Sequence, residues 1–190
     1  MSAPRLDDLK AIEAAVWREL EAAVSGRGHP WKLGVLATRD GEDADARNVV
    51  LREIDPAARE LLVYTDARSP KARQIAAHPQ GTLVLWSREL GWQLRLKVAL
   101  SMETTGLAVT SRWARLKLTP AAQDYLSPLP PGSTLDRPVA PAPASIPKEN
   151  RDHFAVIAVR VRVIDWLELD ARGHRRAVFE ADQPARWVSP

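Results

Sequence analysis

Short segments of alternating apolar and polar residues, separated by turn residues, constrain the fold of this 190-residue chain most strongly. Such alternation is typical of β-strands that bury one face. The Asp40-Gly41 pair and Gly91 are hairpin signals between neighbouring segments. Because hairpins join the strands in succession, the sequence predicts a mainly β, α+β fold: an antiparallel barrel with peripheral helices. The expected strands span 32–38, 46–53, 61–65, 82–87, 92–104 and 154–169, followed by a hairpin to Val178 and a final segment at 187–190.

Helices are expected at the periphery of this barrel. Apolar residues recur every three or four positions up to Gly26, which predicts an amphipathic helix packed across the barrel. Ser69 and Pro70 suit the cap and first turn of a second helix, with Lys71 at its N-terminal end. Free N–H groups at that end would favour a phosphate. The expected helices span 5–25, 70–77 and 119–125.

The segment 127–147 contains seven Pro, too many for a helix or a central strand. It is expected to be a loop, and two interpretations stay open: a lid over a site, or a disordered surface excursion. The sequence otherwise predicts a single domain over 1–190, with the barrel in 31–105 and 153–190.

Composition excludes several classes of protein. The absence of Cys excludes disulfides, thiolate metal sites and thiol nucleophiles, and the four His show no metal-ligand spacing, so no metal is expected. No apolar run reaches about 18 residues and the N-terminus lacks a signal-peptide core, so neither a membrane span nor export is expected. The cytoplasm is the default location. A net charge of only +3, without a basic stripe, argues against nucleic acid as a partner.

Cationic residues are concentrated near the C-terminus. In an extended strand Arg172, His174 and Arg176 would project from one side. Like charges at that density repel unless an anion lies between them, and guanidinium groups suit phosphate or carboxylate oxygens. An anionic ligand is therefore expected. The alternative is a solvated edge strand after a turn at 171–173, whose charges discourage edge pairing.

Four motifs occur along the chain in a fixed order. The first is Arg47-Asn48-Val49-Val50-Leu51-Arg52, and the second joins Tyr64-Thr65-Asp66 to Ser69-Pro70-Lys71. The third is Gln93 in Trp92-Gln93-Leu94-Arg95, and the fourth is Trp166 with Arg172, His174 and Arg176. In this order and spacing they resemble the pyridoxamine 5'-phosphate oxidase family, the FMN-binding split β-barrels.

The resemblance implies a homodimer with FMN in clefts between its subunits. It implies a flavin-dependent oxidoreductase that acts on a small anionic substrate, and no side chain need act as a catalytic base. Arg172 and His174 would contact the substrate, with Arg115 as a weaker candidate. The implied cofactor-binding residues are Arg47, Asn48, Val49, Val50, Arg52, Tyr64, Thr65, Ser69, Lys71, Gln93, Trp166 and Arg176.

Departures from the family pattern leave alternatives open. Arg52 replaces a Lys and Asp66 an Asn, while Pro70 replaces an Arg that would bind phosphate, for which Arg68 is the candidate substitute. The Pro-rich stretch stands where the vitamin B6 oxidases carry a helical substrate region. An FMN-binding protein without oxidase activity, or a haem- or deazaflavin-binding split barrel, therefore remains as an alternative to a pyridoxamine/pyridoxine 5'-phosphate oxidase.

Overall fold

Every strand of the structure pairs antiparallel with its neighbours. The computed structural model describes residues 5–26, 28–138 and 151–190. Two short 3-10 helices, Pro30–Lys32 and Pro120–Tyr125, complete the regular structure of those ranges. The other elements are α1 (Leu9–Ser25), β1 (Leu33–Asp40), β2 (Asp43–Asp55), β3 (Glu60–Asp66), α2 (Pro70–Ala77), β4 (Gln80–Ser87), β5 (Trp92–Glu103), α3 (Leu107–Leu116), β6 (Phe154–Glu168), β7 (Arg175–Glu180) and β8 (Gln183–Val188).

Six strands close into a barrel. Their order is β3-β2-β1-β4-β5-β6, and β3 also pairs with β6 along its whole length. The last hairpin, β7-β8, continues the sheet beyond β6 and leaves β8 at an edge. The predicted antiparallel barrel is therefore confirmed, although closure removes the edges of six strands and not of all eight.

The barrel interior is filled by one side of each strand. Leu36, Leu83 and Leu96 are fully buried on three neighbouring strands. Helix α1 packs against this core through Ile12 and Leu20 on its apolar face, as its periodicity predicts.

Helix α1 begins later than expected. It starts at Leu9 rather than at residue 5, because Asp8 caps it and accepts a hydrogen bond from the Ala11 N–H at 2.8 Å. The preceding residues are instead held by the β6-β7 hairpin. Arg5 donates to Glu168 at 2.7 Å and to the Gly173 carbonyl at 2.6 Å.

Helix α3 was not expected from the sequence. Its apolar residues Val109, Trp113 and Leu116 face a second cluster that includes Tyr125 and Phe154. This cluster covers the outer side of β3 and β6. The Pro-rich segment contains no helix or strand over 127–138, in agreement with a loop. Its remainder, 139–147, lies outside the described residues.

The final hairpin also differs from the prediction. Strand β7 begins at Arg175, so Arg172 and His174 lie in the turn before it and not on one strand face with Arg176. Gly173 adopts a φ of +115°, which other residues rarely tolerate and which places it in the turn. Among the helices described, none is both long and apolar enough to cross a membrane.

Two Leu→Ala substitutions test the packing of α1. Leu20 is fully buried, and Leu20→Ala should lower the free energy of unfolding by about 2–5 kcal/mol because it leaves a cavity. Leu107 is 85% exposed. Leu107→Ala removes the same atoms and should change the free energy of unfolding by less than about 0.5 kcal/mol. Urea denaturation measures both. Equal effects of the two substitutions would contradict the packing of α1 against the barrel core.

Candidate functional site

Four of the expected cofactor residues meet where α2 begins. The Lys71 Nζ donates to the Thr65 Oγ1 at 3.0 Å, and the Ser69 hydroxyl lies 3.3 Å from the same oxygen. Arg47 reaches this end of the barrel from β2 and donates to Gln74 of α2 at 2.8 Å. A Lys, an Arg and two buried hydroxyls thus lie around the first two turns of α2, a donor set suited to a phosphate.

The charges of this cluster are not fully compensated. Burial lowers the pKa of Lys71, and the neighbouring Arg47 lowers it further, against smaller opposing effects of Asp66 and Asp45. A cation whose charged form is disfavoured in this way is stabilised by an added anion.

The sequence Asp-Ala-Arg occurs three times, at 45–47, 66–68 and 170–172. In each case the Asp forms an ion pair with the Arg two residues later. All three arginines were expected to bind a ligand: Arg47 the cofactor, Arg172 the substrate, and Arg68 the phosphate in place of the Arg that Pro70 replaces. The Asp two residues before each Arg is visible in the sequence, but the sequence analysis did not predict these ion pairs.

Arg68 is engaged elsewhere. It donates to both carboxylate oxygens of Asp66 and to the carbonyls of Ser127 and Pro128. Its guanidinium group therefore fastens the beginning of the Pro-rich segment to the end of β3. Arg172 forms a fork with Asp170 at 2.9 and 2.8 Å, and the His174 Nδ1 accepts from the Asp170 N–H at 3.3 Å.

Two rows of paired residues cross the outer face of the sheet. Directly paired residues of antiparallel strands lie on the same face. One row contains Trp86, Gln93, Leu167 and Arg176, in β4, β5, β6 and β7. The next contains Asn48, Val35, Val84, Arg95, Asp165 and Val178, and Val50 pairs with Leu33 on the same side. We call these residues the outer sheet face.

Arg176 on the outer sheet face shares a carboxylate with Arg95. Arg176 donates to the two oxygens of Asp165 at 2.9 and 2.8 Å, and Arg95 pairs with the same carboxylate. Burial raises the pKa of Asp165, but the hydrogen bonds and charges of Arg176 and Arg95 outweigh this and leave it below its usual value. The three residues, with Thr82 and Lys97, line a cleft of about 260 Å³.

The anion inferred from the clustered cations is thus supplied, in part, by the chain itself. Asp165 neutralises Arg176 and Asp170 neutralises Arg172. Repulsion between these cations therefore does not by itself require an external ligand, because carboxylates that are close in space or only two residues away compensate their charges. Binding of a ligand by Arg172 and Arg176 stays a prediction.

Alternation along the strands divides the remaining predicted residues. Asn48 and Val50 lie on the outer sheet face, whereas Val49 is buried in the core. Trp166 lies between Asp165 and Leu167, which belong to the outer sheet face, but its own side chain is fully buried. Its ring packs edge-on to Trp92 and Trp187. A direct contact of Trp166 with a cofactor stays a prediction.

A further charged cluster lies on the opposite side of β3, beside α3. Arg52 occupies an irregularity in the pairing of β2 with β3, a β-bulge, and stacks 5.8 Å from the centre of the Tyr64 ring. The Tyr64 hydroxyl donates to Glu53 at 2.5 Å. Arg112 and Arg115 of α3 pair with the same carboxylate. Sequence reasoning included Arg115 but missed Glu53 and Arg112, because α3 itself was not predicted.

Comparison with known proteins identifies the family. Residues 14–102 match the family model described as pyridoxamine 5'-phosphate oxidase, FMN-binding domain. A pyridoxine/pyridoxamine 5'-phosphate oxidase of Granulibacter bethesdensis is 30% identical over 152 residues, covering 75% of this chain and 71% of that protein. The chain belongs to the pyridoxamine 5'-phosphate oxidase family.

Solved structures of this family share the fold. A pyridoxamine 5'-phosphate oxidase-related, FMN-binding protein from Nostoc punctiforme superimposes with a TM-score of 0.71 at 19% identity, covering 98% of this chain and all of that one. PhzG from Burkholderia lata, solved with tetrahydrophenazine-1-carboxylic acid, gives a TM-score of 0.69 at 17% identity, covering 98% of this chain and 94% of PhzG. These likenesses establish the split-barrel architecture. Within the described ranges, no group of three or more acidic or His side chains is arranged to hold a metal.

Asp165→Asn tests the carboxylate that joins Arg95 to Arg176. The substitution should lower the free energy of unfolding at pH 7 by about 1–3 kcal/mol, because two charge-assisted hydrogen-bond networks lose their anion. Since the folded-state pKa of Asp165 is depressed, its contribution is present above the unfolded pKa and is lost as pH falls through the folded pKa. The difference between the two proteins should therefore shrink in acid.

Urea denaturation between pH 3 and pH 7 measures this difference. The exposed Asp182 provides the control, and Asp182→Asn should leave the stability within about 0.5 kcal/mol. A difference that stays constant with pH would contradict the ionic role of Asp165.

Proposed function

We propose that this protein is an FMN-dependent oxidoreductase that acts on a small anionic substrate. The observation that carries the proposal is the convergence of Arg47, Thr65, Ser69 and Lys71 at the start of α2. All four lie within the segment that matches an FMN-binding domain. This donor set suits the phosphate of FMN, and the lowered pKa of Lys71 indicates a position that an anion would stabilise.

The residues present fit the phosphate end of the cofactor despite the replacement of one expected ligand by Pro70. Arg47 is partly satisfied by Asp45 and Gln74, so FMN binding would exchange a carboxylate partner for a phosphate. The side chain of Ser69 does not cap α2, and its buried hydroxyl bonds instead to Thr65. A phosphate would take the place of this bond.

A second copy of the chain would complete the site. Gln93 and Arg176, expected to contact FMN, lie on the outer sheet face, whereas Arg47 and Lys71 lie at the end of the barrel capped by α2. The outer sheet face exposes Leu33, Val35 and Trp86 at 55%, 39% and 45%, a large apolar area for a monomer surface. Pairing of two such faces would bring the two sets of residues to a common cleft, as the dimer of this family implies.

The protein's part in the chemistry is to bind FMN and the substrate and to orient them. When bound, FMN supplies a hydride acceptor at its N5 atom. Arg47, Thr65 and Lys71 would hold the phosphate. Arg172 and His174, in the turn before β7, would contact a substrate from the partner side. Asp170 bonds to both of their side chains, and Arg5 bonds to the Gly173 carbonyl between them. No general base is required of the chain.

An FMN-binding protein without vitamin B6 oxidase activity is the second candidate. It is favoured by Glu53, which engages the two arginines of α3 that a phosphorylated substrate would otherwise use. The phosphate cluster at α2 is common to both candidates. Turnover distinguishes them.

Absorbance and turnover of the purified protein test the proposal. We expect flavin bands in the blue and near-ultraviolet, with one FMN per chain after reconstitution. A Soret band would instead indicate haem, and the absence of FMN binding at micromolar concentration would contradict the proposal. Addition of pyridoxine 5'-phosphate under air, with peroxide as the readout, then distinguishes an oxidase from a protein that only binds flavin.

Arg47→Glu provides the matching variant. It should weaken FMN binding by at least about a hundredfold, because it places a carboxylate against the phosphate. Arg39→Glu, on the neighbouring strand, makes the same charge change at an exposed site and should retain FMN. Since Arg47 also bonds to Thr38, thermal unfolding must show that the variant is folded. Lys71→Met should reproduce the loss if the cluster binds phosphate.

Trp86→Asp tests the outer sheet face. Placing a charge on this apolar surface should convert a dimer to a monomer in light scattering and lower FMN affinity at the same time. Leu118→Asp, at a residue that is 81% exposed beside α3, should do neither. A Trp86 variant that remains dimeric and retains FMN would contradict the proposed assembly.

A further inference from the structure

Gln74, on the buried face of α2, links the side chain of Arg47 to the helix. Its Oε1 accepts from the Arg47 Nη2 at 2.8 Å and from the Thr38 hydroxyl at 2.7 Å, and its Nε2 donates to Asp45 at 2.9 Å. These partners determine the orientation of the amide, because the opposite one would place donor against donor at Arg47 and acceptor against acceptor at Asp45. Gln74 is only 5% exposed, so its amide is a fixed part of the site.

Four acceptors among the residues described surround the guanidinium group of Arg47. Three of them are buried or belong to the backbone: the Gln74 Oε1, the Thr38 hydroxyl and the Leu36 carbonyl, the last at 3.1 Å from the Arg47 Nη1. The fourth is the carboxylate of Asp45, whose side chain is 41% exposed. Exposed ion pairs contribute little free energy, so a phosphate can replace Asp45 while the other three acceptors continue to hold the guanidinium group.

The position of Arg47 is opposed by a second cation. Lys71 precedes Gln74 by three residues, so the two side chains lie on neighbouring turns of the same side of α2. Burial lowers the pKa of Lys71, and the charge of Arg47 lowers it further, which reflects repulsion between the two cations. A bond from the helix to Arg47 resists this repulsion. Because the amide of Gln74 is neutral, it holds Arg47 without cancelling the charge that attracts a phosphate, whereas a carboxylate in its place would neutralise it.

We propose that Gln74 is a positioning residue for the phosphate of the cofactor: it holds the Arg47 guanidinium group beside Lys71 without neutralising it. This inference rests on the proposed function, in which FMN binds at α2, and adds a residue that lies outside the four motifs. Gln74 acts on FMN through Arg47. Its effect should therefore be specific to flavins that carry a phosphate.

FMN and riboflavin are matched probes, because they share the isoalloxazine ring and the ribityl chain and differ in the phosphate. Titration of the flavin-free protein, followed by the change in flavin fluorescence, gives both dissociation constants. We call their ratio the phosphate preference. We expect the natural chain to bind FMN at least about a hundredfold more tightly than riboflavin, the scale of two charge-assisted hydrogen bonds.

Substitutions of Gln74 separate its bonds from its charge. Gln74→Met retains the length of the side chain but removes its hydrogen bonds, and should lower the phosphate preference about tenfold, the scale of one hydrogen bond to a charged group. Riboflavin binding should be unchanged. Gln74→Glu retains an acceptor for Arg47 but neutralises it, and should lower the preference at least as much. Gln80→Met makes the same replacement at an exposed residue and should change neither affinity.

Thr38 tests the same network from β1. Thr38→Val preserves the shape of the side chain but removes the hydroxyl that bonds to both Gln74 and Arg47, and should also lower the phosphate preference. Thr38→Ser retains the hydroxyl and should retain the preference. Thermal unfolding shows whether each variant is folded, and the Thr38 pair carries the test if Gln74→Met does not fold.

A positioning residue acts through its partner, so the effects of Gln74 and Arg47 should not add. In an Arg47→Ala background, Gln74→Met should leave the phosphate preference unchanged. The inference is overturned if the two losses add, or if Gln74→Met and Thr38→Val both leave the natural preference intact. A natural chain that binds neither flavin, or binds both equally, contradicts the proposed function itself.

Discussion

The pairing of β3 with β6 is the constraint on which the rest of the structure depends. Seven residue pairs, from Glu60 with Arg160 to Asp66 with Phe154, close the barrel between segments that are nearly a hundred positions apart in sequence. Closure fixes which way β3 faces. Thr65 then points towards α2 and the phosphate-type cluster, whereas Tyr64 points towards α3 and Glu53. One strand thus separates two polar sites.

Charge compensation within the chain is the second organising feature. Arginines that sequence reasoning assigned to ligands are paired with carboxylates: Arg47 with Asp45, Arg172 with Asp170, and Arg176 with Asp165. Such pairs compensate the charges of the arginines within the chain, and an anion that binds must compete with them. Solvent-exposed ion pairs contribute little free energy, so a ligand anion would displace Asp170 from Arg172 at low cost. Displacing Asp165 from the more buried Arg176 would cost more.

The antiparallel barrel and the helix over 70–77 could be predicted because their signals are local: alternation, turn residues and an N-terminal Pro. Helix α3 could not, since only three buried residues mark it and its packing partner, Phe154, is distant in sequence. The pairing of Arg176 with Asp165 depends on the register of β6 with β7, which sequence spacing does not specify. The Asp–Arg ion pairs of the three Asp-Ala-Arg segments, in contrast, join residues two positions apart and could have been predicted from the sequence. The resemblance correctly indicated the family, while Glu53 had no counterpart in its motifs.

Arg68 gives the Pro-rich segment a mechanical connection to the barrel. Through one guanidinium group the carbonyls of Ser127 and Pro128 are tied to Asp66, the residue that follows Thr65 in β3. If this link couples the two regions, the coupling free energy is reciprocal: binding that stabilises Thr65 stabilises the start of the segment by the same amount. A phosphate bound at α2, as proposed, would therefore be linked to residues 127–129 through Asp66 and Arg68.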